Sequence, residues 1–193
     1  FKVDEVIDTS GYRRQAVIIN VEGDEWDESV DQSNDLVKEF DYSTDEIIKK
    51  IQNAGVVGLG GATFPSHVKL MPPKGTKPEV LIINGVECEP YLTSDHRLML
   101  EKAEEMLIGI QILMKALKVE KAIIGIENNK KDAIEKLEEL IKDYKGITVI
   151  PLKVQYPQGG EKQLIKAVIN REVPSGNLPI TVGAVVQNVG TAF

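Results

Sequence analysis

The chain has 193 residues, of which 42% are hydrophobic, so it is long enough and apolar enough to fold around a core of its own. A formal net charge of −7 argues against a nucleic-acid partner. The single cysteine, Cys88, excludes both an internal disulfide and a metal cluster ligated by this chain's cysteines, and no apolar run approaches membrane-spanning length.

The first part of the chain divides into a β segment, an acidic segment and a helix. The β-branched run "RRQAVIINV" predicts a strand, and we assign residues 1–21 to a small β unit. Residues 22–42 are acidic and lack periodicity, which favours a solvated linker. Ser43 and Glu46 have the spacing of a capping box, which predicts a helix through Asn53.

A glycine-rich segment, "GVVGLGGATFPSHVK", follows this helix at residues 55–69. It matches neither standard phosphate motif, because Thr63 replaces a glycine of the dinucleotide fingerprint and Ala62 replaces the lysine of the P-loop. Glycines without Cβ nevertheless let backbone N–H groups approach an anion closely. The segment alone is equally consistent with a phosphate cradle and with a plain turn between two elements.

A short helix is expected to follow the glycines. Pro65 suits its first turn and Thr63 is placed to cap it. Its free N–H groups and positive dipole end would favour an anion, and Lys69, one turn later, would add a cation.

The remaining chain alternates between strands and helices. Apolar runs "EVLIIN", "KAIIGIE", "GITVIPL" and "AVVQNV" predict four buried strands. One long helix is predicted over residues 95–117, a second carries apolar positions from Ile134 to Tyr144, and a third covers "EKQLIKAVIN". This alternation predicts an α/β fold with a Rossmann-like parallel sheet covered by helices on both faces.

Unusual residues gather where the predicted strands end. "NGVECEPY", "YPQGGE" and "QNVGT" each follow one of the strands. Ligands of open parallel sheets bind at the carboxyl ends of the strands, so we expect these segments and the glycine loop to face one crevice.

Glu87 and Glu89 flank Cys88 after the first of these strands. In an extended stretch the two carboxylates would share a side, where they could accept hydrogen bonds from ribose or ribityl hydroxyls. The alternative is a pair of solvated loop acids. Cys88 is interpreted as a packed residue rather than a nucleophile, because neighbouring carboxylates disfavour a thiolate.

Other polar residues also have two interpretations. Asn84 either binds a ligand or closes a turn, and turn closure is favoured at a strand end. Glu161 either meets a ligand or complements a helix dipole. The two histidines, His67 and His96, lack metal-ligand spacing, so we interpret them as capping or surface residues and predict no metal site. No pattern marks a nucleophile, and we predict no catalytic side chain.

Taken in order, the stretches "GLGGATFPSHVK", "LIINGVECEPY", "YPQGGEKQL" and "VVQNVGT" resemble the C subunit of the Rnf electron transport complex. More broadly they resemble the flavin-carrying, NADH-oxidising subunit of respiratory complex I. The resemblance implies that residues 43–193 form an FMN/NADH-binding domain truncated at its C-terminal end. It also implies that residues 1–21 are the remnant of a preceding barrel-like domain, and that 4Fe–4S clusters lie only in a region beyond residue 193.

The resemblance also implies roles for particular residues. Non-covalently bound FMN would be contacted by Gly58, Gly60, Gly61, Lys69, Asn84, Glu87, Asn188 and Thr191. NADH would be contacted by Phe64, Glu89, Tyr156 and Glu161, with Phe64 stacking on the nucleotide. The sequence departs from the complex I pattern at Val86 and Gly160, where that pattern has acids.

The implied activity is hydride transfer between NAD(H) and FMN, with electrons passed on to the clusters. The implied partners are the other subunits of a membrane-bound complex, with ferredoxin reached indirectly. The implied location is peripheral, at the cytoplasmic side of the membrane. Two alternatives stay open: a related flavoprotein electron carrier of the cobalamin-reductase or amino-acid-reductase type, or a scaffold subunit that has lost its flavin. The presence of Gly58, Gly60, Gly61, Lys69 and Glu87 argues against loss of the flavin.

Overall fold

The computed structural model describes residues 2–28, 30, 32–33 and 35–193. Phe1, at the start of the predicted β unit, and Ser29, Asp31 and Asn34, within the predicted acidic linker, lie outside the described residues. The chain forms two compact units, Phe1–Leu36 and Val37–Phe193.

The first unit contains an antiparallel hairpin of strands β1 (Lys2–Ile7) and β2 (Arg13–Ile18). The Asp8 carboxylate holds its turn by accepting hydrogen bonds from the backbone N–H groups of Ser10 and Tyr12, at 2.9 and 3.0 Å. The strand predicted through Val21 ends at Ile18. Lys2 is the last described residue that pairs with β2, so residues 19–21 have no strand partner in the described part of the chain.

The second unit is built on a four-stranded parallel sheet in the order β5-β4-β3-β6. Its strands are β3 (Val80–Gly85), β4 (Ala122–Glu127), β5 (Ile147–Leu152) and β6 (Ala184–Asn188). Its helices are α1 (Thr44–Asn53), α2 (Ser66–Lys69), α3 (Ser94–Glu101), α4 (Ala103–Leu117), α5 (Lys131–Leu140), α6 (Glu161–Ile169) and α7 (Val189–Ala192). The predicted Rossmann-like parallel sheet is confirmed.

Alternate residues of the central strand β3 enter two separate apolar cores. Leu81 and Ile83 pack into the core that contains the buried residues of α4 and α5. Ile82 faces the other way and packs with Leu164 and Ile165 of α6. Both faces of the sheet are therefore covered, which explains why the strands read as continuous apolar runs.

The prediction of one helix over residues 95–117 is wrong in one respect, because this segment forms two helices. Lys102 separates α3 from α4 with φ −128° and ψ 32°, outside the helical region. Met99 and Met106, on either side of the break, are both fully buried. The apolar pattern therefore continues across Lys102, and periodicity alone does not reveal the break.

The start of α1 confirms the predicted capping box. Glu46 N–H donates to Ser43 Oγ, and Ser43 N–H donates to the Glu46 carboxylate at 2.8 Å.

Among the described residues, no helix combines the length and apolar character needed to cross a bilayer.

Candidate functional site

The glycine loop connects α1 to α2 and is closed at its base by backbone hydrogen bonds. Gly58 N–H donates to Phe64 O at 2.8 Å, and Ser66 N–H donates to Val56 O at 3.0 Å. Between these bonds, the backbone N–H groups of residues 60–63 donate to no protein group in the described part of the chain, and all four residues are exposed. Successive free N–H groups in one loop form an anion-binding concavity.

Backbone conformation accounts for Gly61, and Gly60 shows where the loop meets β6. Gly61 has φ +106°, which side chains of L-residues rarely adopt, and a Cβ there would meet no atom within 4 Å. A Cβ on Gly60 would lie 3.4 Å from Asn188 Cβ, so the loop packs against the end of β6.

The helix after the glycines begins differently from the prediction. Its N-cap is Pro65, which makes no side-chain capping bond, and Thr63 instead has φ +53°. The predicted cap at Thr63 is therefore wrong, because the chain is still turning there. Ser66, the first residue of α2, is buried, and its hydroxyl has no partner among the described residues. Such a buried, unpartnered hydroxyl is unusual.

The end of β6 is tied to the glycine loop and to β3. Leu59 N–H donates to Thr191 Oγ1 at 2.9 Å. The Asn188 amide donates through Nδ2 to Asp95 Oδ2 at 2.7 Å and to Asn84 O at 3.4 Å, and its Oδ1 accepts from Gly190 N–H at 2.8 Å. The structure therefore brings predicted site residues from three segments together.

Asn84, at the end of β3, makes both of its side-chain bonds within the protein. Its Oδ1 accepts from Val86 N–H at 3.1 Å, which closes a turn, and its Nδ2 donates to Gly159 O at 2.8 Å. A Cβ on Gly159 would lie 3.0 Å from Val86 O, so the two strand-end segments approach closely. The favoured interpretation of Asn84 as a turn-closing residue agrees with this geometry.

Glu87 is buried and serves the start of α3. Its carboxylate accepts from the backbone N–H groups of Asp95 at 2.9 Å and His96 at 3.3 Å, and from Ser94 Oγ at 3.4 Å. Lys130 Nζ lies 3.5 Å from Glu87 Oε2. The carboxylate thus satisfies donors that a helix leaves free at its N-terminus and pairs with a nearly buried cation.

Glu89 differs from Glu87, because it is exposed. Cys88 is half-buried, and its Sγ lies 3.9 Å from Glu89 Oε2.

Asp95 lies near both glutamates. Burial is the main cause that raises the pKa of Asp95, and the negative charges of Glu87 and Glu89 raise it further. The hydrogen bond from Asn188 and the charge of Lys130 oppose that rise.

Lys69 links α2 to the other side of the site. Its Nζ donates to Val186 O at 3.0 Å and lies 3.3 Å from Glu161 Oε1. Glu161 is the first residue of α6, so the predicted phosphate-binding cation meets a predicted nucleotide-binding acid. Both side chains remain partly exposed, which leaves the pair accessible to a ligand.

Aromatic rings are exposed on three loops of the second unit. Phe64 in the glycine loop and Tyr156 after β5 are both exposed. Tyr91, which the sequence analysis did not single out, is fully exposed and has φ +68°. Exposed rings on neighbouring loops are available to stack on a planar ligand.

Sequence reasoning missed three charged residues, Asp95, Glu127 and Lys130. Glu127 ends β4 and is 2% exposed, and its Oε1 has no partner among the described residues. Burial raises the pKa of Glu127, Lys130 opposes that rise, and Glu87 and Glu89 add to it. Glu127 is the last residue of β4, and Lys130 follows it closely. The rule that ligands of parallel sheets bind at the carboxyl ends of the strands, applied to β4, identifies both residues.

One of the two histidines, His96, contacts an acid of α5. His96 Nε2 lies 2.8 Å from Asp132 Oδ1, which draws down the pKa of that carboxyl. Across the described ranges, no group of three or more His, Cys, Asp and Glu side chains is arranged to hold a metal ion.

Comparison with known proteins relates this chain to one domain family and to C subunits of ion-translocating oxidoreductase complexes. Residues 51–193 match the Nuo51 FMN-binding domain family. The C subunit of the proton-translocating ferredoxin:NAD(+) oxidoreductase complex of Clostridium ljungdahlii is 52% identical over 180 residues, which are 93% of this chain and 38% of that protein. The C subunit of the Na(+)-translocating ferredoxin:NAD(+) oxidoreductase complex of Acetobacterium woodii is 49% identical over 191 residues, which are 98% of this chain and 42% of that protein. The chain thus spans about two fifths of the length of these curated relatives.

Solved structures share the fold. The NAD+-reducing [NiFe]-hydrogenase in its H2-reduced state matches with a TM-score of 0.70 and 24% identity, over 78% of this chain and 29% of that chain. The same enzyme in its air-oxidized state matches with a TM-score of 0.69 and 25% identity over the same shares. These likenesses confirm the α/β architecture.

Proposed function

This chain belongs to the Nuo51 FMN-binding domain family, and we propose that it binds FMN non-covalently and mediates hydride transfer between NAD(H) and that flavin. The resemblance to the C subunits of Rnf complexes is confirmed by the two relatives above, which favours an Rnf-type complex over the related flavoproteins of other pathways. The observation that carries the proposal is the run of exposed N–H groups at residues 60–63, which have no partner among the described residues, in a loop that packs against the end of β6.

The residues of the loop fit the phosphate of FMN. Backbone N–H groups without protein partners in the described part of the chain are donors that suit a phosphate, and Gly61 lies among them with a positive φ that other residues rarely adopt. Gly58 closes the base of the loop through its bond to Phe64 O, and Gly60 lies against the end of β6. Lys69 adds positive charge from α2, where its ammonium is already paired with Glu161.

The strand-end residues would shape the remainder of the flavin site. Asn84 bonds the loop after β5 and Glu87 bonds the start of α3, so these side chains would hold in place the segments that surround the flavin. Thr191 holds the glycine loop through Leu59, and Asn188 stands where the loop meets β6. FMN would be enclosed by elements that these four side chains fix.

NAD(H) would bind at the exposed side of this pocket. Phe64 and Tyr156 offer exposed rings to a base or a nicotinamide, and Glu89 and Glu161 offer carboxylates that accept hydrogen bonds from ribose hydroxyls. Val86 and Gly160 supply no acids at the two positions where complex I has them, so fewer carboxylates would contact the nucleotide.

Bound FMN would supply the hydride chemistry and the ability to pass electrons on singly. The chain would bind both ring systems, stack them and exclude water, which brings the reacting atoms within reach without a side-chain nucleophile. Cys88 alone does not provide the four thiolates of a typical cluster, so we propose that the 4Fe–4S clusters belong to regions outside this chain. The whole protein would act with the other subunits of a membrane complex, peripherally on the cytoplasmic side, and would reach ferredoxin indirectly.

Calorimetric titration of FMN into the flavin-free chain tests this proposal. We expect one FMN per chain, with riboflavin binding more weakly because it lacks the phosphate. A folded chain that binds no FMN would favour the flavin-free scaffold instead.

A further inference from the structure

The amide of Asn188 has a fixed orientation. Its Nδ2 donates to Asp95 Oδ2 at 2.7 Å and to Asn84 O at 3.4 Å, and its Oδ1 accepts from Gly190 N–H at 2.8 Å. An ionised carboxylate accepts hydrogen bonds and donates none, so Asp95 requires the nitrogen of the amide on its own side. Both amide hydrogens are then used within the protein, and only a lone pair of Oδ1 remains free.

Asp95 is itself held by a chain of contacts across the sheet edge. The Asp95 N–H donates to the buried carboxylate of Glu87 at 2.9 Å. That carboxylate lies 3.5 Å from Lys130 Nζ, just beyond the end of β4. The contacts therefore run from β4 through the loop after β3 and the start of α3 to the end of β6, and they hold the backbone of Asp95 in place.

We propose that Asp95 is a positioning residue that turns the Asn188 amide so that Oδ1, rather than Nδ2, faces the flavin. This inference rests on the proposed function. An amide oxygen repels phosphate oxygens and accepts a hydrogen bond from a hydroxyl or a ring N–H. The Asn188 position therefore receives the ribityl chain or the ring system of the flavin, and the phosphate lies farther along the glycine loop.

The orientation is testable in the flavin-free chain by NMR. The side-chain amide signals of Asn188 are assigned by their absence in an Asn188→Ser variant. We expect slow hydrogen exchange of this amide in the wild-type chain and fast exchange in Asp95→Ala. Equally fast exchange in both chains would overturn the orienting role of Asp95.

The ligand half of the inference is testable by comparing FMN with riboflavin. We expect Asp95→Ala to weaken both flavins by the same factor of about tenfold, because the phosphate does not meet residue 188. Asp95→Asn, whose side-chain oxygen can still accept from Nδ2, should retain most of the affinity. Asp132→Ala is a matched control, because it removes an acid that pairs with α3 through His96 without contacting Asn188.

Three results would count against the inference. A loss in Asp95→Ala confined to FMN would place Asn188 at the phosphate, and unchanged affinity for both flavins would remove Asp95 from the site. An equal loss in Asp132→Ala would assign the effect to α3 as a whole. A wild-type chain that bound neither flavin would overturn the proposed function and the ligand half together, while the exchange measurement would still decide the orienting role.

Discussion

At the residue scale, Lys69 is the cation that we assign to the flavin phosphate in the proposed site. Its ammonium bonds the Val186 carbonyl and lies 3.3 Å from Glu161. We expect Lys69→Ala to weaken FMN binding by about 1.5–3 kcal/mol, since a charge-assisted contact to phosphate is lost. Riboflavin binding should hardly change, and calorimetry with both flavins measures the difference.

The matched control for this variant is Lys162→Ala. Lys162 also donates to a backbone carbonyl, that of Pro174 at 3.3 Å, but it is not among the residues assigned to FMN or NAD(H). Equal losses for FMN and riboflavin in Lys69→Ala would place Lys69 away from the phosphate.

Glu161 begins α6 and is exposed, so it is available to a ribose hydroxyl of NADH. We expect Glu161→Gln to raise the KM for NADH by about tenfold, because a carboxylate acceptor is replaced by a weaker one. Flavin content should stay unchanged. Glu172→Gln, which removes an exposed acid paired with Lys166 at 2.9 Å, is the control and should alter neither quantity. Loss of flavin from Glu161→Gln would contradict the assignment.

Glu127 is a buried carboxyl whose pKa is raised, chiefly by burial, above its ordinary value of 4.5. A raised pKa in the folded state means that the fold favours the protonated form. Its contribution to stability is therefore present in acid and is lost as the pH rises through the folded-state pKa. Asp95 shifts in the same direction, so a comparison with the wild-type chain is needed to isolate Glu127.

We expect Glu127→Gln to lose less stability than the wild-type chain between acid and neutral pH. At neutral pH the variant should be the more stable by about 1 kcal/mol, since a neutral amide is cheaper to bury than a carboxylate. Urea unfolding across that range measures the effect. Glu138→Gln on the exposed side of α5 is the control. Parallel pH profiles for Glu127→Gln and wild type would refute the prediction.

At the scale of elements, the glycine loop combines an open backbone with an unusual conformation. Gly61 and Gly75 both have positive φ and open space around the Cβ position, yet only Gly61 lies among the free N–H groups of residues 60–63. We expect Gly61→Ala and Gly75→Ala to lose similar stability, about 1–2 kcal/mol, from backbone strain. Only Gly61→Ala should also weaken FMN, by about tenfold, as fluorescence titration would show. Similar FMN affinities in the two variants would exclude the loop as the phosphate site.

The sheet was predictable from the sequence because its four strands are buried on both faces. Continuous apolar runs such as "EVLIIN" are typical of strands that are buried on both faces. Because the carboxyl ends of parallel strands lie at the same edge of a sheet, the polar segments that follow the strands are expected at that edge. The break at Lys102 was not predictable in this way. It changes the backbone without interrupting the apolar stripe, because Met99 and Met106 remain buried on either side.

The side-chain contacts inside the site were also not predictable from the sequence. Spacing places Glu87 and Glu89 two residues apart, but it does not say that Glu87 turns inward to bind the start of α3 while Glu89 stays exposed. The pairing of Glu87 with Lys130 joins two strand-end loops that are far apart along the chain. Such contacts depend on how neighbouring strands are ordered in the sheet.

At the scale of the whole molecule, the second unit holds every residue assigned to FMN and NAD(H). The proposed site lies at the carboxyl edge of one parallel sheet, between the glycine loop and the segments that follow β3, β5 and β6. We propose no task in the reaction for the first unit, and its assignment to the remnant of a barrel-like domain stays a prediction. Flavin reduction by NADH is accordingly expected of the second unit's residues alone.

Hydride transfer from NADH to the bound flavin is tested by an anaerobic titration of the FMN-loaded chain with NADH, followed by the visible absorbance of the flavin. We expect one equivalent of NADH to bleach the bound flavin, and a small artificial acceptor to restore the absorbance. An FMN-loaded chain that excess NADH leaves oxidised would contradict the proposed hydride transfer.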